Sequence, residues 1–225
     1  CYTNIINEIL MQLRSHQLDS LVAMQQSDKG QIIVPTGGGK TMCMIEDAKY
    51  RFNNTRRTIV VVAPRILLAN QLSADFLEHI TNVNVLHVHS GETHHTSTTK
   101  PEEIKTFCIY PLHLHTIIFT TYHSLHRIQE ADIDVDTIYF DEAHNSVQRN
   151  FIEAVEYYSM YAQRSYFFTA TPKHSRTPKK IGMNDTFIFG DVICNVPAPK
   201  LVDEGHILPP KVMVKKIDVT DDSRF

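Results

Sequence analysis

Apolar runs and helical patterns alternate along this chain. Runs at 31–34, 58–63, 83–89, 116–121, 137–140 and 165–169 have the length and the β-branched or aromatic content of short buried strands. Between two of them, 67–80 sets Leu68, Leu72, Phe76, Leu77 and Ile80 on one side at the three-and-four spacing of an amphipathic helix, and 150–161 behaves in the same way. Pro101 followed by Glu102 and Glu103 predicts a short helix inside an otherwise polar surface excursion over 90–115. Strands buried on both faces and joined by helical crossovers predict an α/β fold with a mainly parallel central sheet and helices on both faces. In such sheets, ligands gather at the carboxyl ends of the strands. From Thr171 onward the pattern thins: prolines punctuate the chain, and only 186–189 and 211–219 carry a modest strand signal.

At the end of the first apolar run stands Val34-Pro35-Thr36-Gly37-Gly38-Gly39-Lys40-Thr41, and a helical stretch follows. A strand, a glycine-rich turn and a helix N-terminus bring unpaired backbone N–H groups and the positive end of a helix dipole to one point, where polyphosphate is stabilised. The glycines remove the Cβ atoms that would block that approach. Lys40 is placed to reach terminal phosphates and the Thr41 hydroxyl to coordinate Mg²⁺. Val34 stands where the full phosphate-loop pattern has glycine, so the match is to its second half.

Composition narrows the picture only slightly. At 225 residues and 42% hydrophobic, the chain is long enough for one large domain without staples. A net charge of −3 gives no global basic signature, so nucleic acid would have to be met by a local groove. The 4 cysteines are dispersed, without a Cys-x-x-Cys pair, which fits reduced thiols. Among 13 histidines, His87 and His89 share a strand face, yet no carboxylate or cysteine stands at a ligand-like spacing from them; they are expected to be solvated or hydrogen-bonded. No apolar run reaches the length of a membrane span and no secretory signal opens the chain. The expected location is intracellular, in cytoplasm or nucleoid or as a viral protein acting in a host cell, with no membrane partner. A first residue other than Met suggests an excised fragment.

A second constellation closes the strand 137–140: Asp141-Glu142-Ala143-His144. An acid at a buried strand's end, facing a phosphate loop, suits metal coordination, and its neighbour suits polarising a water for attack on a γ-phosphate. Asp141 is assigned the Mg²⁺ and Glu142 the general base.

In these motifs the chain resembles domain 1 of the superfamily 2 helicases and translocases, over nearly its whole length. Arg14-Ser15-His16-Gln17 is similar to the element whose glutamine reads the adenine edge, a task for which an amide both donates and accepts. Pro35 to Thr41 is similar to motif I, and Asp141 to His144 to motif II in its DEAH form. Ala63-Pro64-Arg65 resembles motif Ia, a nucleic-acid backbone contact, with arginine where the family more often has threonine. Thr120-Thr121-Tyr122-His123-Ser124-Leu125 resembles motif Ib of the restriction-enzyme-like branch. Ser165-Tyr166-Phe167-Phe168-Thr169-Ala170-Thr171-Pro172 resembles motif III, which links nucleotide state to nucleic-acid grip.

The resemblance implies a RecA-like fold that binds ATP and Mg²⁺, with a catalytic set of Lys40, Asp141, Glu142 and His144. It implies an ATP site of Arg14, Gln17, Thr36, Gly37, Gly38, Gly39, Lys40 and Thr41, a metal held by Thr41 and Asp141, nucleic-acid contacts at Pro64, Arg65 and Thr121, and coupling through Thr169 and Thr171. Residues 1–208 would form the first RecA-like domain, and 209–225 a linker and the start of a second one that supplies arginine fingers. The 225 residues alone are then expected to bind ATP·Mg²⁺ weakly and to turn it over slowly or not at all. The implied function is an ATP-driven helicase or translocase on nucleic acid, DNA before RNA. The alternatives are the motor subunit of a restriction system, which translocates without unwinding, and an ATP-gated nucleic-acid sensor or clamp.

Overall fold

The six apolar runs between 31 and 169 become strands because their alternate side chains find apolar partners on both sides of one sheet. The computed structural model describes residues 13–52, 56–110, 114–177 and 180–209. The strands are β1 (Lys29–Ile33), β2 (Thr58–Ala63), β3 (Val83–Val88), β4 (His115–Thr121), β5 (Thr137–Phe140), β6 (Arg164–Thr169) and β7 (Val192–Asn195). They pair in parallel in the order β3-β4-β2-β5-β6-β1-β7. The helices are α1 (Ser15–Gln26), α2 (Lys40–Arg51), α3 (Ile66–His79), α4 (Pro101–Ile109), α5 (Leu125–Glu130), α6 (Ile152–Tyr161), α7 (Thr186–Phe189) and α8 (Ala198–Asp203).

The period of two sorts the strand residues onto two cores. Val60, Val62, Ile118, Ile138, Phe140 and Phe167 face α4, α5, α6 and α7. Ile59, Val61, Ile117, Phe119, Tyr139 and Phe168 face α1, α2, α3 and α8. Phe140 and Phe167 stack with centroids 4.7 Å apart. Each such fully buried side chain contributes roughly 1.5–3 kcal/mol by removal from water, so the register of the central strands is set from both faces. Under the sheet, Tyr139 donates to Asp47 at 2.7 Å and Arg51 pairs with the same carboxylate at 3.1 Å, which pins α2 in place.

Two expectations change. Residues 186–189 form a single helical turn, not a strand, because the Asp185 side chain accepts the Phe187 N–H at 3.1 Å and caps the turn. The strand comes next, as β7, an edge strand whose half-exposed residues leave a weak apolar signal. The excursion after β3 is less detached than its polarity suggests, since His87 exchanges backbone hydrogen bonds with Thr96 and Thr98 and α4 buries Ile104 and Cys108. The expected strand 211–219 lies outside the described residues. No helix among the described residues is long and apolar enough to cross a membrane, and Cys43, Cys108 and Cys194 are free thiols.

His87 and His89 are buried and hydrogen-bonded. His87 Nδ1 lies 3.0 Å from His89 Nε2, and its Nε2 lies 3.0 Å from Ser73 Oγ. Burial, reinforced by His89 and His95, pushes the His87 pKa from 6.5 down to about 4, so the folded state holds it neutral. A depressed folded pKa gives stability that is full above pH 6.5 and is lost as pH falls toward 4. The urea midpoint is therefore expected to drop more steeply over that interval in the native chain than in His87→Gln; equal slopes would count against a buried neutral imidazole.

Candidate active site

Strand order decides which loops meet. β5, β6 and β1 are neighbours, so the loop after β1, the acids after β5 and the threonine ending β6 share one stretch of the carboxyl edge. The glycine-rich loop leaves β1, and Val34 N–H donates to Thr169 C=O at 3.0 Å, tying the loop's start to the end of β6. Gly39, at φ 82°, makes the left-handed turn that starts α2 at Lys40. That left-handed backbone favours glycine, and a Cβ there would lie 2.3 Å from Gln17 Nε2 and displace it.

The first turn of α1 braces this loop from behind. Arg14 Nη1 donates to Gly37 C=O at 3.3 Å, His16 Nε2 lies 2.7 Å from Gly38 C=O, and Gln17 Nε2 donates to Gly39 C=O at 3.2 Å. In a trans peptide the N–H points opposite its C=O, so the N–H groups of Gly39 and Lys40 are aimed away from α1, toward the open side. Thr36 and Gly37 are exposed there, and Thr41 is half-buried in the first turn of α2. Gln17 Oε1 also accepts the Arg14 N–H at 2.9 Å. These two bonds leave one amide hydrogen and one lone pair of the buried Gln17 side chain unused.

Opposite the loop, Asp141 continues β5, its N–H donating to Val62 C=O at 2.9 Å while its own C=O accepts from the Tyr122 hydroxyl at 2.9 Å. Burial first, and the neighbouring Glu142 second, raise the Asp141 pKa to about 6, with Lys40 opposing them. Glu142 sits at φ 46°, a left-handed backbone uncommon for a non-glycine residue. That twist turns its side chain to the loop, where Lys40 Nζ meets Glu142 Oε1 at 2.9 Å. Glu142 Oε2 lies 3.4 Å from His144 Nδ1, and the same nitrogen lies 3.1 Å from Thr169 Oγ1. The Thr169 hydroxyl also accepts the Thr171 N–H at 3.2 Å. A continuous polar relay thus runs Lys40, Glu142, His144, Thr169, Thr171.

The nucleic-acid candidates stand farther along the same edge, after β2, which neighbours β5, and after β4, which neighbours β2. Pro64 is half-buried and Arg65 is exposed at the start of α3. Thr121 is 4% exposed, and its hydroxyl lies 3.5 Å from Ser124 Oγ. Two contributors have no assignment from the sequence. His16, inside the quoted Arg14–Gln17 element, braces Gly38, and Tyr122 holds Asp141. Neither has a local signature, because both partners lie far away in the chain.

The donor set fits a magnesium nucleotide. The loop's Lys40 is paired to a carboxylate that a phosphate would replace, and the glycine cradle would be closed by a Cβ. Asp141 and Thr41 offer the hard oxygen ligands that Mg²⁺ takes.

Comparison with known proteins gives the same picture. Residues 3–174 match the family described as Type III restriction enzyme, res subunit. Over 72 residues, 32% of this chain and 5% of that protein, the sequence is 33% identical to ATP-dependent helicase SGS1 of Saccharomyces cerevisiae. A nuclease-deletion mutant of the Type ISP restriction-modification enzyme LlaGI, solved with a DNA substrate mimic, superposes with a TM-score of 0.67 at 21% identity, covering 87% of this chain and 21% of that one. The helicase domain of Pyrococcus furiosus Hef gives a TM-score of 0.59 at 24% identity, covering 81% of this chain and 38% of that one. The chain thus spans a small part of these proteins' lengths. With the phosphate loop, the paired acids and the Thr169 relay all at one sheet edge, and with three quarters of its length matched, the chain belongs to the Type III restriction enzyme res subunit family, as an N-terminal helicase-type RecA-like domain.

Proposed function

We propose that this chain is the ATP-binding half of a motor that moves along nucleic acid, DNA before RNA. The observation that carries the reading is the Lys40–Glu142 ion pair at 2.9 Å, which joins phosphate loop and acid pair in one site. An arriving γ-phosphate offers Lys40 a stronger, more highly charged partner. Glu142 is then released, still beside His144, to accept the proton of an attacking water. Mg²⁺ would be held by Asp141 and Thr41 and would supply charge neutralisation for the phosphates when bound. Lys40 orients the terminal phosphate, Gln17 reads the base, and Thr169 reports the state of Glu142 through His144 to Thr171.

Completion of the site by a second RecA-like domain beyond residue 208 belongs to the same proposal. The family match to the Type III restriction enzyme res subunit supports a second reading beside the helicase one, translocation without strand separation. The test uses protein containing this chain and its following domain. ATPase stimulated by duplex DNA is expected, and displacement of a third strand but not of duplex strands would favour translocation. Stimulation by RNA alone would overturn the choice of DNA, strand separation would favour the helicase reading, and an ATPase indifferent to nucleic acid would overturn the motor.

Arg65 is proposed to contact backbone phosphate, since it is exposed on the edge and its guanidinium matches phosphate oxygens. Arg65→Ala is expected to weaken DNA binding equally across sequences and to reduce the slope of log affinity against log salt by about 1. An unchanged slope in a binding titration rules the contact out.

A further inference from the structure

Behind the phosphate loop, on the side away from the acid pair, a nitrogen of His16, a carboxylate oxygen of Glu204 and a nitrogen of His206 all lie within 4.8 Å of one another. From this cluster we infer a binding site for a zinc-class divalent cation that clamps the segment after α8 onto the phosphate loop.

The placement of the two later ligands is fixed by a helix stop. α8 ends at Asp203, and Gly205 takes φ 72° in open space. Gly205 N–H donates to Val202 C=O at 3.0 Å and His206 N–H to Leu201 C=O at 2.8 Å, the paired bonds of a Schellman cap. That cap folds Glu204 and His206 toward each other, and Glu204 Oε2 lies 3.5 Å from His206 Nε2. Bonds of roughly 2.0–2.1 Å in tetrahedral geometry put zinc ligands about 3.3 Å apart, so this pair is already close to ligand spacing.

The third ligand carries the argument. His16 is fully buried, and its Nε2 stands 2.7 Å from Gly38 C=O, a bond that only an Nε2–H can make. The tautomer is therefore set, and Nδ1 is left with a bare lone pair. Among the described residues that Nδ1 has no hydrogen-bond partner. A buried acceptor left without a partner is costly, and a metal bond would remove that cost. An imidazole that gives one N–H to a backbone carbonyl and the other nitrogen to a cation is the usual arrangement of a metal-ligating histidine. The His16 and His206 rings stand 5.8 Å apart at 56°, near enough to share one ion. Two imidazoles and one carboxylate, with Glu204 exposed and His206 half-buried so that water can take a fourth position, match zinc before Mg²⁺ or Ca²⁺.

The site is separate from the proposed ATPase chemistry, and its test has no activity readout. Chelator-treated protein containing this chain is titrated with Zn²⁺ against a chromophoric chelator, and with Co²⁺ for its visible ligand-field bands. One Zn²⁺ per chain is expected, with a rise in melting temperature. His206→Ala and Glu204→Gln should each weaken that binding by more than about 100-fold, since loss of even outer-shell partners costs about 10–100-fold. Because Glu204→Gln keeps size and a polar head, circular dichroism should show it folded as the native chain is. The double variant His94→Ala/His95→Ala, on the other side of the sheet order, should bind as the native chain does. No stoichiometric Zn²⁺, or Zn²⁺ retained in both Glu204→Gln and His206→Ala, overturns the inference.

Discussion

Glu142→Gln is expected to leave ATP binding nearly unchanged while hydrolysis falls by about 10²–10⁴-fold, the range a positioned general base contributes. The substitution keeps the side chain's length and one carbonyl oxygen, so Lys40 still finds an acceptor where it now meets Glu142 Oε1 at 2.9 Å. What disappears is the capacity to take a proton. The left-handed backbone at φ 46° and the two bonds from Asn145 to the Glu142 carbonyl, at 3.0 and 2.9 Å, do not depend on the carboxylate. Geometry should therefore survive and chemistry should not. Nucleotide affinity by equilibrium titration and single-turnover hydrolysis separate the two. Turnover at the native rate in this variant removes Glu142 from the role of base.

Lys40→Ala is expected to act on the other term, weakening nucleotide binding by about 10- to 150-fold, the equivalent of one charge-assisted hydrogen bond of about 1.5–3 kcal/mol, and abolishing turnover. The loss has two sources. The cation that would meet the terminal phosphates is gone, and Asp141 and Glu142 lose the positive charge that offsets their mutual repulsion; Lys40 is the group that lowers the Asp141 pKa against burial. Lys40→Arg is the informative companion, because it keeps the charge while changing the shape of the head. If Lys40→Ala bound nucleotide as tightly as the native chain, the glycine-rich loop would be a structural turn and the proposed motor would lose its ATP site.

Legibility varied with the range of the interaction that creates each feature. The central strands were legible because burial on both faces leaves continuous apolar runs, and 58–63 and 137–140 coincide with β2 and β5. β7 was not, since an edge strand needs apolar residues on fewer positions, and 186–189 turned helical through one cap that the apolar run Thr186-Phe187-Ile188-Phe189 conceals. Gln17 was assigned to adenine, and its place against Gly39 C=O adds a bracing role that depends on α1 docking behind the loop. The resemblance points to Thr121 as a nucleic-acid contact, while its 3.5 Å contact with the Ser124 hydroxyl shows only in the folded turn after β4.

The amino-acid sequence by itself determined the class of fold, the phosphate loop and the paired acids, because each rests on local spacing: period-two strands, glycines before a helix, acids at a strand's end. Tertiary structure alone decided that β6 would lie between β5 and β1, so that His144 meets Thr169 at 3.1 Å and Lys40 meets Glu142. It also brought His16 to His206 across nearly the whole chain, where each histidine had read as one among 13. Spacing along a chain encodes what neighbours do, whereas the order of strands in a sheet is settled by packing over the whole domain.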